Sequence, residues 1–96
     1  MSISVSTHVL DVERGRPARG VRIELWQDEL VASGDTDDEG RIARLAADLE
    51  PGTYRLIFQP ASPFFRSVAL ELSLEDGHYH VPLLVSSYSC TTYRGS

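Results

Sequence analysis

The stretch His78–Val85, "HYHVPLLV", decides the fold. Side chains alternate between the two faces of an extended strand, so Tyr79, Val81, Leu83 and Val85 share one apolar face. His78, His80, Pro82 and Leu84 then share the other. The spacing predicts a strand whose apolar face looks into a core. It also predicts that two histidines project side by side on the outer face.

The same period of two runs outward in both directions. Ile3, Val5, Thr7 and Val9 alternate with Ser4, Ser6, His8 and Leu10 in a first strand, which places His8 outward as well. Gly15-Arg16-Pro17 marks a turn. Val21, Ile23 and Leu25 alternate with Arg22, Glu24 and Trp26, and a short strand follows near Leu30 to Ser33. Gly34–Gly40, "GDTDDEG", is a polar turn cluster, with a brief strand from Arg41 to Leu45 after it. Pro51-Gly52 turns into a strand that carries Tyr54, Leu56 and Phe58 on one face. The prolines of Gln59–Pro63 exclude helix and central strand there. Val68, Leu70, Leu72 and Leu74 alternate next, Asp76-Gly77 turns into the quoted strand, and Tyr88 to Tyr93 reads as the last. Leu45–Glu50, "LAADLE", has helix-forming composition, but six residues are too short to stand alone. Seven to eight short strands punctuated by Gly and Pro predict an all-β fold, an antiparallel β-sandwich forming a single domain over residues 1–96.

Composition narrows the function. The chain has 96 residues and a net charge of −5, and its nine cations are all arginines, scattered along the sequence. A nucleic-acid binder would show a basic stripe, so no nucleic-acid partner is expected. No apolar run approaches membrane-spanning length, so no membrane partner is expected either. One cysteine, Cys90, permits no intramolecular disulfide. The first residues enter a strand pattern without a basic and then apolar leader. A soluble, cytoplasmic protein is the expectation.

All three histidines lie on outer strand faces beside Leu10, Pro82 and Leu84. The outer face of a sandwich sheet has no partner within one chain, so its cover would come from another subunit. A neutral histidine takes a proton from water near neutral pH, and an arginine steadies a developing oxyanion. Together they suit water-mediated hydrolysis of an activated amide-type bond. No Gly-x-Ser-x-Gly elbow or Ser–His–Asp order supports a covalent serine. His8, His78 and His80 as zinc ligands are the other chemical option, though His-x-His alone is a weak signal, and no metal is expected.

"STHVLD" (Ser6–Asp11), the Asp-x-Gly-Arg of Asp38–Arg41, "HYHVPLL" (His78–Leu84) and the terminal "TYRGS" (Thr92–Ser96) resemble the transthyretin-related 5-hydroxyisourate hydrolase family. The resemblance implies a transthyretin-like sandwich and a homotetramer with active sites in the channel between dimers. It implies cleavage of the N1–C6 bond of 5-hydroxyisourate by water, giving 2-oxo-4-hydroxy-4-carboxy-5-ureidoimidazoline, in urate breakdown and without a cofactor. Carried over by motif, the catalytic residues are His8, Arg41 and His80, and the substrate-binding residues are Ser96, Tyr93 and His78. Gly95 would allow a close backbone approach that a Cβ obstructs. The chain departs from the family pattern at Ser87, Cys90 and Thr91, where that pattern has proline, tyrosine and serine. "QPASPFF" also leaves no room for the family's short helix. The competing reading is a non-catalytic prealbumin-like binding or interaction module, in which the Arg41 motif is only a hairpin turn.

Overall fold

Nine strands and no helix make up the described part of the chain, residues 2–95 of the computed structural model. They are β1 (Ile3–Asp11), β2 (Arg16–Pro17), β3 (Arg22–Trp26), β4 (Leu30–Asp35), β5 (Arg41–Leu49), β6 (Gly52–Gln59), β7 (Val68–Leu74), β8 (Gly77–Val85) and β9 (Cys90–Thr92). One sheet runs β2-β1-β8-β9, with β5 also pairing β1; the other runs β4-β3-β6-β7. The inward residues of the two sheets meet in a core that includes Val5, Val9, Ile23, Leu25, Leu56, Phe58, Leu74 and Leu83. These are the apolar halves of the alternating runs, so burial follows the period of two. The all-β sandwich is as expected.

Several details differ from the expectation. The β1–β8 pair is parallel, whereas the other pairs are antiparallel. Parallel neighbours need a long crossover, and here everything between β1 and β8 supplies it. Leu45–Glu50 continues as strand through Leu49, because Leu45 and Ala46 bury against the core and Ala46 pairs with Val5. Tertiary pairing overrides a helical propensity that six residues cannot realise. The register of β5 shifts twice along β1, and Asp48 there has φ of 56°. Finally, β9 covers only Cys90–Thr92, since Ser86 and Ser89 close a turn with the Ser86 N–H donating to the Ser89 carbonyl at 2.9 Å.

Gln59 ends the central strand β6, paired with Arg22, contrary to the expectation for Gln59–Pro63, and residues 60–67 then join β6 to β7 without a helix, as Pro60 and Pro63 require. The largest consequence for function is the position of β1. It lies between β5 and β8, so residues distant in sequence share its outer face.

Candidate active site

Register fixes which side chains meet. Ser4 pairs with His78 and Ser6 with His80 across the parallel β1–β8 ladder, while His8 pairs with Arg41 across the antiparallel β1–β5 ladder. Directly opposed residues project to the same face. Three strands thus deliver His8, Arg41, His78 and His80 to one open surface of the sheet. Ser6 and Pro82 also point outward, yet both are buried beneath these neighbours.

The turn before Arg41 is built to hold this arrangement. Asp37 Oδ1 accepts the backbone N–H groups of Glu39 and Arg41, each at 2.9 Å. The Arg41 N–H in particular holds the Asp37 carboxyl below the usual carboxylate range, because it favours the charged form. Gly40 has φ of 75°, and a Cβ there would overlap the Val9 carbonyl oxygen and crowd Pro17 and Ala18. Only glycine lets the turn press against β1, where the Val9 N–H donates to the Gly40 carbonyl at 2.7 Å. This close approach also brings the Glu39 carbonyl within 3.0 Å of His8 Nε2. A carbonyl only accepts, so His8 carries its proton on Nε2 and, when neutral, presents its lone pair on Nδ1.

His80 is held from its other nitrogen. Its Nδ1 lies 2.7 Å from Ser6 Oγ, leaving Nε2 unengaged among the described residues. Ser6 Oγ also bonds His78 Nε2 at 2.8 Å, and His78 Nδ1 bonds Ser4 Oγ at 2.7 Å. The His8 and His80 ring centroids stand 6.5 Å apart. Burial lowers the His80 pKa below the ordinary histidine value, and the positive charges of His8, Arg41 and His78 lower it further. His80 is therefore a neutral imidazole over a wider pH range than an exposed histidine, in the form a general base needs.

The C-terminal segment leans on this histidine. The Gly95 N–H donates to the His80 carbonyl at 2.6 Å, and a Cβ on Gly95 would lie 2.7 Å from His80 Cδ2. The close backbone approach expected at Gly95 is present. Arg94 turns away from the histidines; its guanidinium stacks on the Tyr79 ring at 4.2 Å and donates to the His78 carbonyl at 3.2 Å. Tyr93 is 55% exposed and borders a groove of about 450 Å³ between β7 and the chain end, with Leu70, Leu72 and Tyr79. Ser96 lies outside the described residues.

Of the residues singled out from sequence, the structure gathers His8, Arg41, His78 and His80 and leaves Tyr93 apart. Ser4, Ser6, Asp37 and the Glu39 carbonyl were not singled out. Ser4 and Ser6 share the strand parity of His8, but only the parallel pairing reveals that they meet the β8 histidines. Asp37, not Asp38, organises the turn; Asp38 instead pairs with Arg19 at 3.1 Å. Among the described residues, no group of three His, Cys, Asp or Glu side chains converges as metal ligands would.

The sequence profile of the HIUase/Transthyretin family matches residues 5–95. A 5-hydroxyisourate hydrolase of Pseudomonas aeruginosa is 39% identical over 114 aligned residues, covering 96% of this chain and 90% of that protein. The alignment is longer than this chain of 96 residues, so the relative has residues where this chain has none. The structure of Klebsiella pneumoniae 5-hydroxyisourate hydrolase superposes with a TM-score of 0.89 at 33% identity, over 97% of this chain and 98% of that one. Sea bream transthyretin in complex with thyroxine superposes with a TM-score of 0.86 at 27% identity, over 95% and 93% of the two chains. With the profile spanning nearly every residue, and with relatives alike in sequence and shape along their whole length, the chain belongs to the HIUase/transthyretin family.

Proposed function

We propose that this protein hydrolyses 5-hydroxyisourate by water attack at the C6 carbonyl, with breakage of the N1–C6 bond and formation of 2-oxo-4-hydroxy-4-carboxy-5-ureidoimidazoline. The observation that carries the reading is the convergence of His8, Arg41 and His80 on one sheet face from three separate strands. His80 Nε2 takes a proton from the attacking water and returns it to the leaving nitrogen. The Arg41 guanidinium, which pairs with no carboxylate among the described residues, stabilises the oxyanion that develops at C6. His8, with Nε2 tied to the Glu39 carbonyl, keeps its Nδ1 lone pair for the substrate beside a His80 ring whose centroid is 6.5 Å from its own. Tyr93 and Ser96 are the candidate substrate-binding residues, whereas His78, with both ring nitrogens engaged by serines, acts through His80. The reaction needs no cofactor, because the ring is strained and electron-poor.

The face is open in one chain, so the working unit is a homotetramer in which another subunit roofs each site. The exposure of Tyr93 beside the β7 groove supports a contact with a neighbouring chain. A cytoplasmic location fits a chain with one cysteine, Cys90, and no disulfide to maintain. A carrier of apolar hormones, the alternative within this fold, would line the same face with apolar side chains instead of histidine, serine and arginine.

The direct test follows the ultraviolet decay of freshly made 5-hydroxyisourate with and without the protein. Acceleration over the spontaneous rate is expected, with roughly a hundredfold loss or more in His80→Ala and Arg41→Lys. A decay rate untouched by the wild-type protein would overturn the assignment.

A further inference from the structure

The three bonds joining Ser4, His78, Ser6 and His80 form one unbroken line across the β1–β8 ladder. A serine hydroxyl donates one hydrogen bond while accepting another, and a neutral imidazole donates at one nitrogen and accepts at the other. The line therefore has two self-consistent polarities. In the first, His80 Nδ1–H donates to Ser6, Ser6 donates to His78 Nε2, and His78 Nδ1–H donates to Ser4. His80 Nε2 then carries a lone pair. In the second, every bond reverses and His80 Nε2 carries the proton.

We propose that Ser6 and His78 are positioning residues that couple the tautomer of His80 to Ser4, so that His80 accepts and returns a proton while its ring stays neutral. The proposal rests on the hydrolase reading above. In the forward step the water O–H bond breaks and its proton joins His80 Nε2. The Nδ1 proton of His80 moves to Ser6 Oγ, the former Ser6 proton to His78 Nε2, and the His78 Nδ1 proton to Ser4 Oγ. Ser4 releases its own proton to solvent at the exposed end of the line. When the N1–C6 bond breaks, His80 Nε2 gives its proton to the leaving nitrogen, Ser4 takes one back from solvent, and the line resets.

The surroundings of His80 explain why such a device is useful. It faces His8 from β1, Arg41 from β5 and His78 on its own strand, while Arg94 of the chain end is engaged with Tyr79 and the His78 carbonyl. An imidazolium amid these groups is disfavoured by like charge and by burial. A swap between two neutral tautomers avoids that charge. Ser6, 7% exposed, keeps the central link away from competing water. Both nitrogens of His78 are occupied by serines, so it acts through His80 and not on the substrate directly.

Ser6→Ala and His78→Gln test the coupling. Glutamine on this exposed position can still hydrogen-bond Ser6 but cannot pass a proton on. Each variant should lower kcat roughly tenfold to hundredfold with KM within about twofold of wild type, and the double variant should be no slower than Ser6→Ala alone. Solvent-isotope proton inventories should be curved for wild type and linear for both variants. In ¹⁵N spectra of the whole protein without substrate, His78→Gln should shift the Nδ1 and Nε2 resonances of His80, reporting a changed tautomer ratio. An unchanged kcat in His78→Gln overturns the proposal, whether or not the His80 resonances move. A wild-type protein without turnover would instead overturn the hydrolase reading, and the spectra would still decide whether the tautomers are linked.

Discussion

Gly95→Ala asks the most of the geometry for the least chemical change. The added methyl would stand 2.7 Å from His80 Cδ2, where ordinary contact begins at 3.4 Å. Something must yield by about 0.7 Å to restore ordinary contact. The His80 backbone is tied to Gly95 by a 2.6 Å hydrogen bond and its ring to Ser6 by one of 2.7 Å. Moving the ring by that distance stretches the Ser6 bond past the useful range. It also displaces Nε2 from the reacting position proposed for it, and at about a hundredfold per ångström this shift costs roughly twentyfold to thirtyfold in rate, or about 2 kcal/mol of barrier. Fold stability should hardly change, since Gly95 forms only an isolated bridge beyond β9 and its φ needs no glycine. Stopped-flow ultraviolet decay of 5-hydroxyisourate gives the rate, and a thermal melt gives the control. Turnover within threefold of wild type, with an unchanged melt, would refute the claim that the tail fixes His80.

Because His80 stays neutral to lower pH than an ordinary histidine, the acid limb of kcat/KM should fall below about pH 6.5, and in Arg41→Gln the remaining activity should show that limb moved upward. The depressed pKa also means that its contribution to stability is full above about pH 6.5 and is lost as pH falls through the folded-state value, which a pH series of chemical melts would display. Gly40→Ala should destabilise the protein by roughly 1–3 kcal/mol in urea melts, since it strains a positive φ and drives a methyl into the Val9 carbonyl. Thr7 Oγ1 is buried in the core with no hydrogen-bond partner among the described residues. Thr7→Val should therefore raise stability by about 1 kcal/mol and leave turnover unchanged, and a destabilised variant would mean that the hydroxyl is satisfied after all.

Most of the sandwich was legible because alternation is a strong signal in strands with one buried face. Tyr54, Leu56 and Phe58, like Val81, Leu83 and Val85, announced their side of the sheet without help. Leu45–Glu50 was not legible, because its composition favours helix while its fate depends on pairing with Val5 and Ile3 far earlier in the chain. For the site, outward parity placed His8 and His80 correctly. The partners that tune them were hidden, because Ser4 and Ser6 acquire meaning only when β1 lies parallel to β8 in a particular register. The Asp37 turn was hidden for a different reason: three aspartates, Asp35, Asp37 and Asp38, crowd the same loop, and only geometry tells which carboxylate caps it.

The pairing of β1 with β8 also bears on how the molecule comes into being. Ser6 and His80 are 74 residues apart, and the strand that neighbours β1 on that side leaves the ribosome only after β2 to β7. Until then that edge of β1 stays unpaired, although β2 and β5 can already pair with the strand, while β3, β4, β6 and β7 can form their own sheet first. Closing so long a loop is entropically expensive and slow, and an unpaired strand edge invites association with other nascent chains. The pairing that brings His78 and His80 to Ser4 and Ser6 is thus also the one that closes this long loop, so the candidate site and that side of the sheet are completed together.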